Sequence, residues 1–199
     1  MPKPAPSLRR AAWHLSRLGW RIRSKGDVVR AVEDFQRGWN LGPALVIDGV
    51  VGPKTMAAIL QSSDRRRKGL PTASPHFSWT EARCKCGGRY AGCRTIRVHR
   101  GLWQSLEDLR AAHYGRGLPL ISVYRCPGRN AAVGGARLSQ HMAGLAADIP
   151  STVKSSRVKA LKAFAGIGIT ASTDTVAHVD RRDLAGGPSV TNPATWFYN

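Results

Sequence analysis

Carboxylates are scarce in this chain. Twelve Asp and Glu stand against 31 Lys and Arg, which leaves a formal net charge of +19 over 199 residues. A field of that size points to a polyanionic partner, whether nucleic acid, an anionic membrane or an anionic bacterial cell wall. The basic residues are spread along the chain and not gathered into one stripe, which weighs against nucleic acid. Long apolar runs are also missing. No stretch approaches the roughly 20 apolar residues of a membrane-spanning helix. The opening "MPKPAPSLRRAAWHLSRLGW" has no apolar core and no small-residue cleavage site, so the chain is expected not to enter general secretion by a signal of its own. A hydrophobic share of 42% nevertheless excludes a disordered chain.

Cysteine is sparse and unevenly placed. Cys84, Cys86 and Cys93 crowd into "CKCGGRYAGC", and Cys126 stands apart. Four such thiols suit a structural zinc knot, two disulfides or free side chains. Cys84 and Cys86 are too close to pair comfortably with each other. Synthesis in a reducing cytosol, expected from the missing signal, disfavours disulfides.

Helical periodicity dominates the first sixty-odd residues. Leu8, Ala12, Leu15 and Leu18 recur at helical spacing, and Gly19 is placed to end that helix. Val28, Ala31, Val32, Phe35 and Trp39 mark a second helix, with Asp27 as its expected N-cap. Asp48-Gly49 and Gly52-Pro53 break the chain, and Pro53 can open a third short helix. The stretch "AVEDFQRGWNLGPALVIDGVVGPKTMAAIL" resembles the peptidoglycan-binding domain of many cell-wall hydrolases. Its hallmark is a Phe-Gln pair followed by D-G-x-x-G-P-x-T, matched here by Phe35, Gln36, Asp48, Gly49, Gly52, Pro53 and Thr55. After it comes "QSSDRRRKGLPTASP", polar and without a hydrophobic period, which reads as a linker. Few contacts are expected to cross it, so the second part should fold alone.

The second part alternates helix and strand patterns. "RVHRGLWQSLEDLRAAHYG" reads as an amphipathic helix, "LPLISVYR" as a strand, "AADIP" and "AHVDRRD" as shorter strands, and "SSRVKALKAFAGIG" as a helix ending at Gly166 or Gly168. The alternation predicts an α+β domain.

The most unusual stretch is "SQHMAGLAADIP", Ser139–Pro150. A continuous helix would separate His141 from Asp148 by two turns, about 10.5 Å along the axis, too far for one ion. A reversal at Gly144 followed by a strand brings both side chains into one pocket, and the small residues between allow close backbone packing. His178 of "AHVD" offers a third ligand. Two imidazoles and a carboxylate suit a catalytic zinc with an open fourth position. The same pattern also suits a hydrogen-bonded structural pair with an unrelated histidine.

The stretch "SVYRCPGRNAAVGGARLSQHMAGLAADI" followed by "AHVDRRD" resembles the zinc D,D-carboxypeptidase and L,D-endopeptidase family (peptidase M15-type), typified by VanY-like enzymes and several phage lysins. Its S-x-H-x-x-G-x-A-x-D motif falls on Ser139, His141, Gly144, Ala146 and Asp148, its H-[VI]-D on His178-Val179-Asp180, and its Y-R-x-P on Tyr124, Arg125 and Pro127. Ala132 to Ala136 match a further A-V-G-G-A segment. The resemblance implies zinc (Zn2+) held by His141, Asp148 and His178. Arg125, at a strand end, suits a peptide carboxylate or a developing oxyanion. Many members carry an acid three residues before the last ligand, but Thr175 stands there. Asp174 is then the expected general base, brought in by a one-residue bulge. Asp180, two residues after His178 and on the same strand face, is the expected partner of a histidine ligand.

The expected architecture is α+β, with a three-helix unit over 1–64, a linker over 65–75 and a zinc peptidase domain with a small antiparallel sheet over 76–199. The two resemblances imply an endolysin-type peptidoglycan hydrolase that cuts a stem-peptide amide, L-Ala–D-Glu or a related bond. A D-Ala–D-Ala carboxypeptidase is the alternative within enzymes, and a non-catalytic wall-binding protein the alternative outside them. The expected partners are bacterial peptidoglycan and anionic cell-wall polymers, with no nucleic acid and no membrane insertion. The chain is expected to act as a monomer, first in the host cytoplasm and then at the cell wall.

Overall fold

The computed structural model describes residues 6–115 and 117–198. Helix α1 (Pro6–Leu18) buries Ala11, Leu15 and Leu18. It stops at Gly19, whose φ of 120° suits only glycine and whose amide closes on the Leu15 carbonyl at 3.1 Å. Helix α2 (Lys25–Gly38) is capped by Ser24 and not, as expected, by Asp27. The Ser24 hydroxyl accepts from the Asp27 amide at 3.1 Å, and the Asp27 carboxylate accepts from the Ser24 amide at 3.0 Å. Serine followed three residues later by an acid makes a reciprocal cap, which moves the acid one turn into the helix. Helix α3 (Pro53–Arg67) opens on Pro53 in its first turn, and α1 packs on both α2 and α3.

The Phe-Gln and D-G-x-x-G-P-x-T residues have a structural role. Gln36 is buried and reaches from α2 to the turn before α3. Its amide nitrogen donates to Asp48 Oδ1 at 2.8 Å, the Val50 carbonyl at 3.1 Å and Thr55 Oγ1 at 3.2 Å. Its amide oxygen accepts from the backbone of Asp48 and Gly49 at 3.2 and 2.9 Å. One side chain therefore satisfies a loop that has no ladder of its own. Phe35, the neighbour of Gln36, lies in the core.

The stretch 65–75 is not a contact-poor linker. Arg65, Arg66 and Arg67 form the last turn of α3, where the helix dipole favours cations. Thr72, Ala73 and Ser74 are buried, and Ser62 Oγ donates to the Thr72 carbonyl at 2.7 Å. The polar residues satisfy backbone groups in a packed loop, and that use leaves no hydrophobic period to read. One core runs through both halves. The Trp79 ring lies 5.1 Å from Trp20 and 5.0 Å from Phe35. Arg94 clasps Asp34 at 2.7 Å and Glu33 at 2.8 Å on α2, and Arg100 donates to the Trp39 and Gly42 carbonyls at 3.1 and 2.7 Å.

Helix α4 (Arg100–His113) matches the amphipathic reading and buries Leu102, Leu106 and Leu109. Short helices α5 (Pro127–Ala132), α6 (Gln140–Ala143) and α7 (Ser155–Ala160) alternate with strands β1 (Ala146–Asp148), β2 (Gly166–Thr170), β3 (Thr175–Asp180) and β4 (Ala194–Tyr198). The sheet order is β1-β3-β2-β4. It is mixed and not antiparallel, because after β3 the chain crosses back and lays β4 parallel to β2. Two further expectations are corrected. The helix read up to Gly166 or Gly168 ends at Ala160, since Gly166–Thr170 is a strand buried on both faces for most of its length. "LPLISVYR" forms no regular strand; it is held beside β1 by an isolated bridge between Ser122 and Asp148.

Candidate metal centre

Helix α6 places His141, and Gly144 ends it in the left-handed region at φ 72°. A Cβ at Gly144 would stand 2.6 Å from the Arg97 carbonyl oxygen, so glycine is required for space as well as conformation. The reversal leads directly into β1. Asp148 is the register partner of His178 on β3, and the two side chains meet at the same edge of the sheet as His141.

Three atoms converge. His141 Nε2 lies 3.1 Å from Asp148 Oδ1 and 3.2 Å from His178 Nδ1, and His178 Nδ1 lies 3.0 Å from Asp148 Oδ1. The outward nitrogens decide the protonation. His141 Nδ1 faces the Val123 carbonyl at 2.6 Å, which can only accept, so that nitrogen carries the proton. His178 Nε2 faces the buried Asp180 carboxylate at 3.2 Å and donates to it. With neutral rings, both inward nitrogens present lone pairs to each other and to a carboxylate oxygen. Such a triangle repels itself unless a cation fills it. A tetrahedral ion with bonds of about 2.0–2.1 Å needs donors about 3.3 Å apart, close to what these residues provide. Two imidazoles and a carboxylate fit zinc.

Burial pushes the Asp148 carboxyl up, but the bonds and charges of His141 and His178 outweigh it and hold it well below the usual carboxylate range. Its second oxygen accepts from Arg125 Nη2 at 3.1 Å, and the Arg125 amide donates to the His141 carbonyl at 3.2 Å. Asp180 is fully buried. Burial raises its carboxyl, but bonds from Arg182 and His178 bring it down to about 2. Arg182 grips it through Nε at 2.9 Å and Nη2 at 2.6 Å, and stacks 4.8 Å over Trp196. Asp180 thus fixes the His178 ring, as a ligand's partner does.

The cluster opens into a cavity of about 800 Å³ lined on one side by Arg125, Ser139 and Gln140 and on the other by Arg182, Trp196 and Tyr198. Arg182, Trp196 and Tyr198 were not singled out from sequence. The alternation Asp180-x-Arg182 was a usable signal for the first; nothing local marks the two aromatics, which arrive on β4. The two glycines of "GIGIT", read from sequence as helix ends, instead make room for the site. Gly166 faces Asp180 and Gly168 faces His178, and a Cβ at Gly166 would collide with the Asp180 carboxylate.

Asp174 is not in the site. It is exposed, at φ 51°, and its carboxylate accepts from Ser155 Oγ at 2.7 Å. A bulge does interrupt β3, since His178 pairs with Gly168 and Val176 with Ile169, but the extra residue is Ala177. Asp174 remains four residues up the strand, about 13 Å at the usual rise. Thr175 is turned to Ser151 and Thr173 at 2.6 Å each. Asp174→Asn is therefore expected to leave turnover unchanged. Asp180→Asn is expected to weaken metal affinity by about ten- to a hundredfold. Steady-state peptide turnover checks the first and competition with a chelator of known affinity the second; lost turnover in Asp174→Asn, or wild-type metal affinity in Asp180→Asn, would refute the placement.

A protein-family model, Peptidase M15, matches residues 75–180, more than half of the chain. No curated protein matches it.

Proposed function

The chain belongs to the peptidase M15 family, and from that premise we propose that it is a zinc peptidase that cuts an amide bond in the stem peptide of bacterial peptidoglycan. The observation that carries this reading is the triangle of lone pairs from His141, Asp148 and His178 at the floor of an open cavity. When bound, zinc supplies Lewis acidity to a scissile carbonyl and lowers the pKa of water toward about 7.

The chain's own residues do the rest. Asp180 keeps the His178 proton on Nε2, so that Nδ1 stays a donor of electrons. The Val123 carbonyl holds the His141 proton on Nδ1, so that Nε2 is the electron donor there. Arg125 steadies Asp148 through one nitrogen, and its Nε is buried without a partner among the described residues. Its planar fork suits a substrate carboxylate or the oxygen that gains charge during attack. Trp196 and Tyr198 line the cavity from β4.

The bond proposed is L-Ala–D-Glu or a related stem-peptide amide, as in an endolysin. Digestion of purified peptidoglycan followed by mass spectrometry tests this. New N-terminal D-glutamate supports the endopeptidase, whereas free D-alanine alone replaces it with a carboxypeptidase. A second reading, wall binding without turnover, is favoured by one observation. The carboxylates lining the cavity are Asp148, shared between the cluster and Arg125, and Asp180, held by Arg182. Neither is free to take a proton from water. Intact peptidoglycan after prolonged incubation with the zinc-loaded protein would select that reading.

The helical part is proposed to hold the protein on peptidoglycan and anionic wall polymers, acting as an endolysin does once it reaches the wall from the host cytoplasm. All three candidate ligands come from one chain, so a monomer suffices. With a net charge of +19, attachment should be electrostatic in large part. Raising salt from about 0.1 M to about 1 M shortens the screening length from about 10 Å to about 3 Å. Co-sedimentation with purified walls is expected to fall several-fold over that range; undiminished binding would mean that charge does not hold the protein there.

A further inference from the structure

A second cluster lies away from the cavity, among residues the proposed reaction does not use. The sulfurs of Cys84, Cys86, Cys93 and Cys126 all lie within 4.8 Å of one another. Cys86 is central, at 3.4 Å from Cys84, 3.4 Å from Cys93 and 3.7 Å from Cys126. These separations are far longer than the roughly 2.05 Å of a disulfide. They approach the edge of a tetrahedron with metal–sulfur bonds of about 2.3 Å, which is about 3.8 Å. Four sulfurs from two distant segments, gathered around one point, are unusual for free thiols, which have no attraction strong enough to assemble them.

The backbone treats the sulfurs as anions. The Gly88 amide donates to Cys86 Sγ at 3.3 Å, the Cys126 amide to Cys84 Sγ at 3.4 Å and the Arg129 amide to Cys126 Sγ at 3.4 Å. Gly87 and Gly88, both left-handed at φ 61° and 82°, fold the loop sharply so that the Gly88 amide can turn back. Lys85, Arg89 and Arg129 lie within three residues of a thiol in the sequence. Cys84 and Cys126 are buried, and Tyr90 and Tyr124 pack over the group.

We propose that Cys84, Cys86, Cys93 and Cys126 bind a second zinc ion, structural and fully coordinated by thiolate, separate from the His141–Asp148–His178 cluster. Soft thiolates in a closed tetrahedral set select zinc over harder cations. The ion would tie the 84–93 loop to the start of α5, where Cys126 is the N-cap and the next residue back is Arg125. Arg21 adds a tether from the helical part, donating to the Gly87 carbonyl at 2.9 Å.

This site does not depend on the proposed activity, and its test reads no cleavage. Elemental analysis of the purified full chain is expected to give two zinc ions per molecule, one after His178→Ala and one after Cys86→Ser. Exchange with cobalt should produce a strong thiolate-to-metal charge-transfer band that survives His178→Ala and disappears in Cys86→Ser. If Cys86→Ser fails to fold, Cys93→His keeps four ligands and should retain the second ion with an altered band. One zinc per wild-type chain with no thiolate band would overturn the proposal, as would a native mass reduced by disulfide formation, or iron in place of zinc.

Discussion

Replacing His178 with alanine is expected to remove one equivalent of metal and to lower peptide hydrolysis more than about a thousandfold. A single lost oxyanion donor costs about a hundred- to a thousandfold, and losing a Lewis acid removes more than one such contact. His178 is also the hinge between Asp148, which shares its inward face, and Asp180, which holds its outward one. Alanine leaves Asp180 gripped by Arg182 alone, so the fold should survive while the triangle does not. Metal content, stem-peptide turnover and the urea midpoint, measured together, check this. Full turnover in the variant would mean that the reaction takes place elsewhere.

Removing residues 1–65 is expected to leave a chain that does not fold cooperatively. The cut exposes Trp79, which is fully buried against Trp20 and Phe35, and strands Arg94 without Asp34 and Glu33. Truncating one buried tryptophan costs about 3–5 kcal/mol. Losing every aromatic partner of Trp79 on that side, together with the packing of Ile96 and Val98, approaches the whole 5–15 kcal/mol stability of a typical domain. The full chain should unfold in one transition, and residues 66–199 should show no near-ultraviolet circular dichroism of native type. A sharp unfolding transition in the fragment would show that the shared core is dispensable.

The candidate ligands were legible because their chemistry is local. His141, Gly144 and Asp148 lie within eight residues, and the need for a reversal follows from the length of two helical turns. His178 was legible through its strand pattern. The proton acceptor was misplaced because distance along the sequence was read as distance in space: Asp174 is near His178 in the chain but is committed to Ser155. The mixed sheet was illegible because the sequence of β4, ATWFY, shows no apolar–polar alternation, and its parallel pairing with β2 is decided by a crossover. The packed stretch 65–75 was illegible because Ser62 and Thr72 spend their polarity on backbone and not on solvent. The Phe-Gln and D-G-x-x-G-P-x-T pattern was legible for a different reason. Gln36, Asp48, Gly49 and Thr55 form one hydrogen-bonded clip, so the pattern reports how that turn is built.

Asp148 and His178 face each other across β1 and β3 in fixed register. A slip of one residue in that pairing would set Val179 in the place of His178 and turn both ligands to opposite faces. An ion held by the pair therefore rewards only the correct alignment of strands that lie 30 residues apart. Refolding with metal present should suppress misaligned hairpins, and metal uptake should coincide with the last ordering step of the sheet. With an ion bound, the cluster would act as a proofreader of its own scaffold.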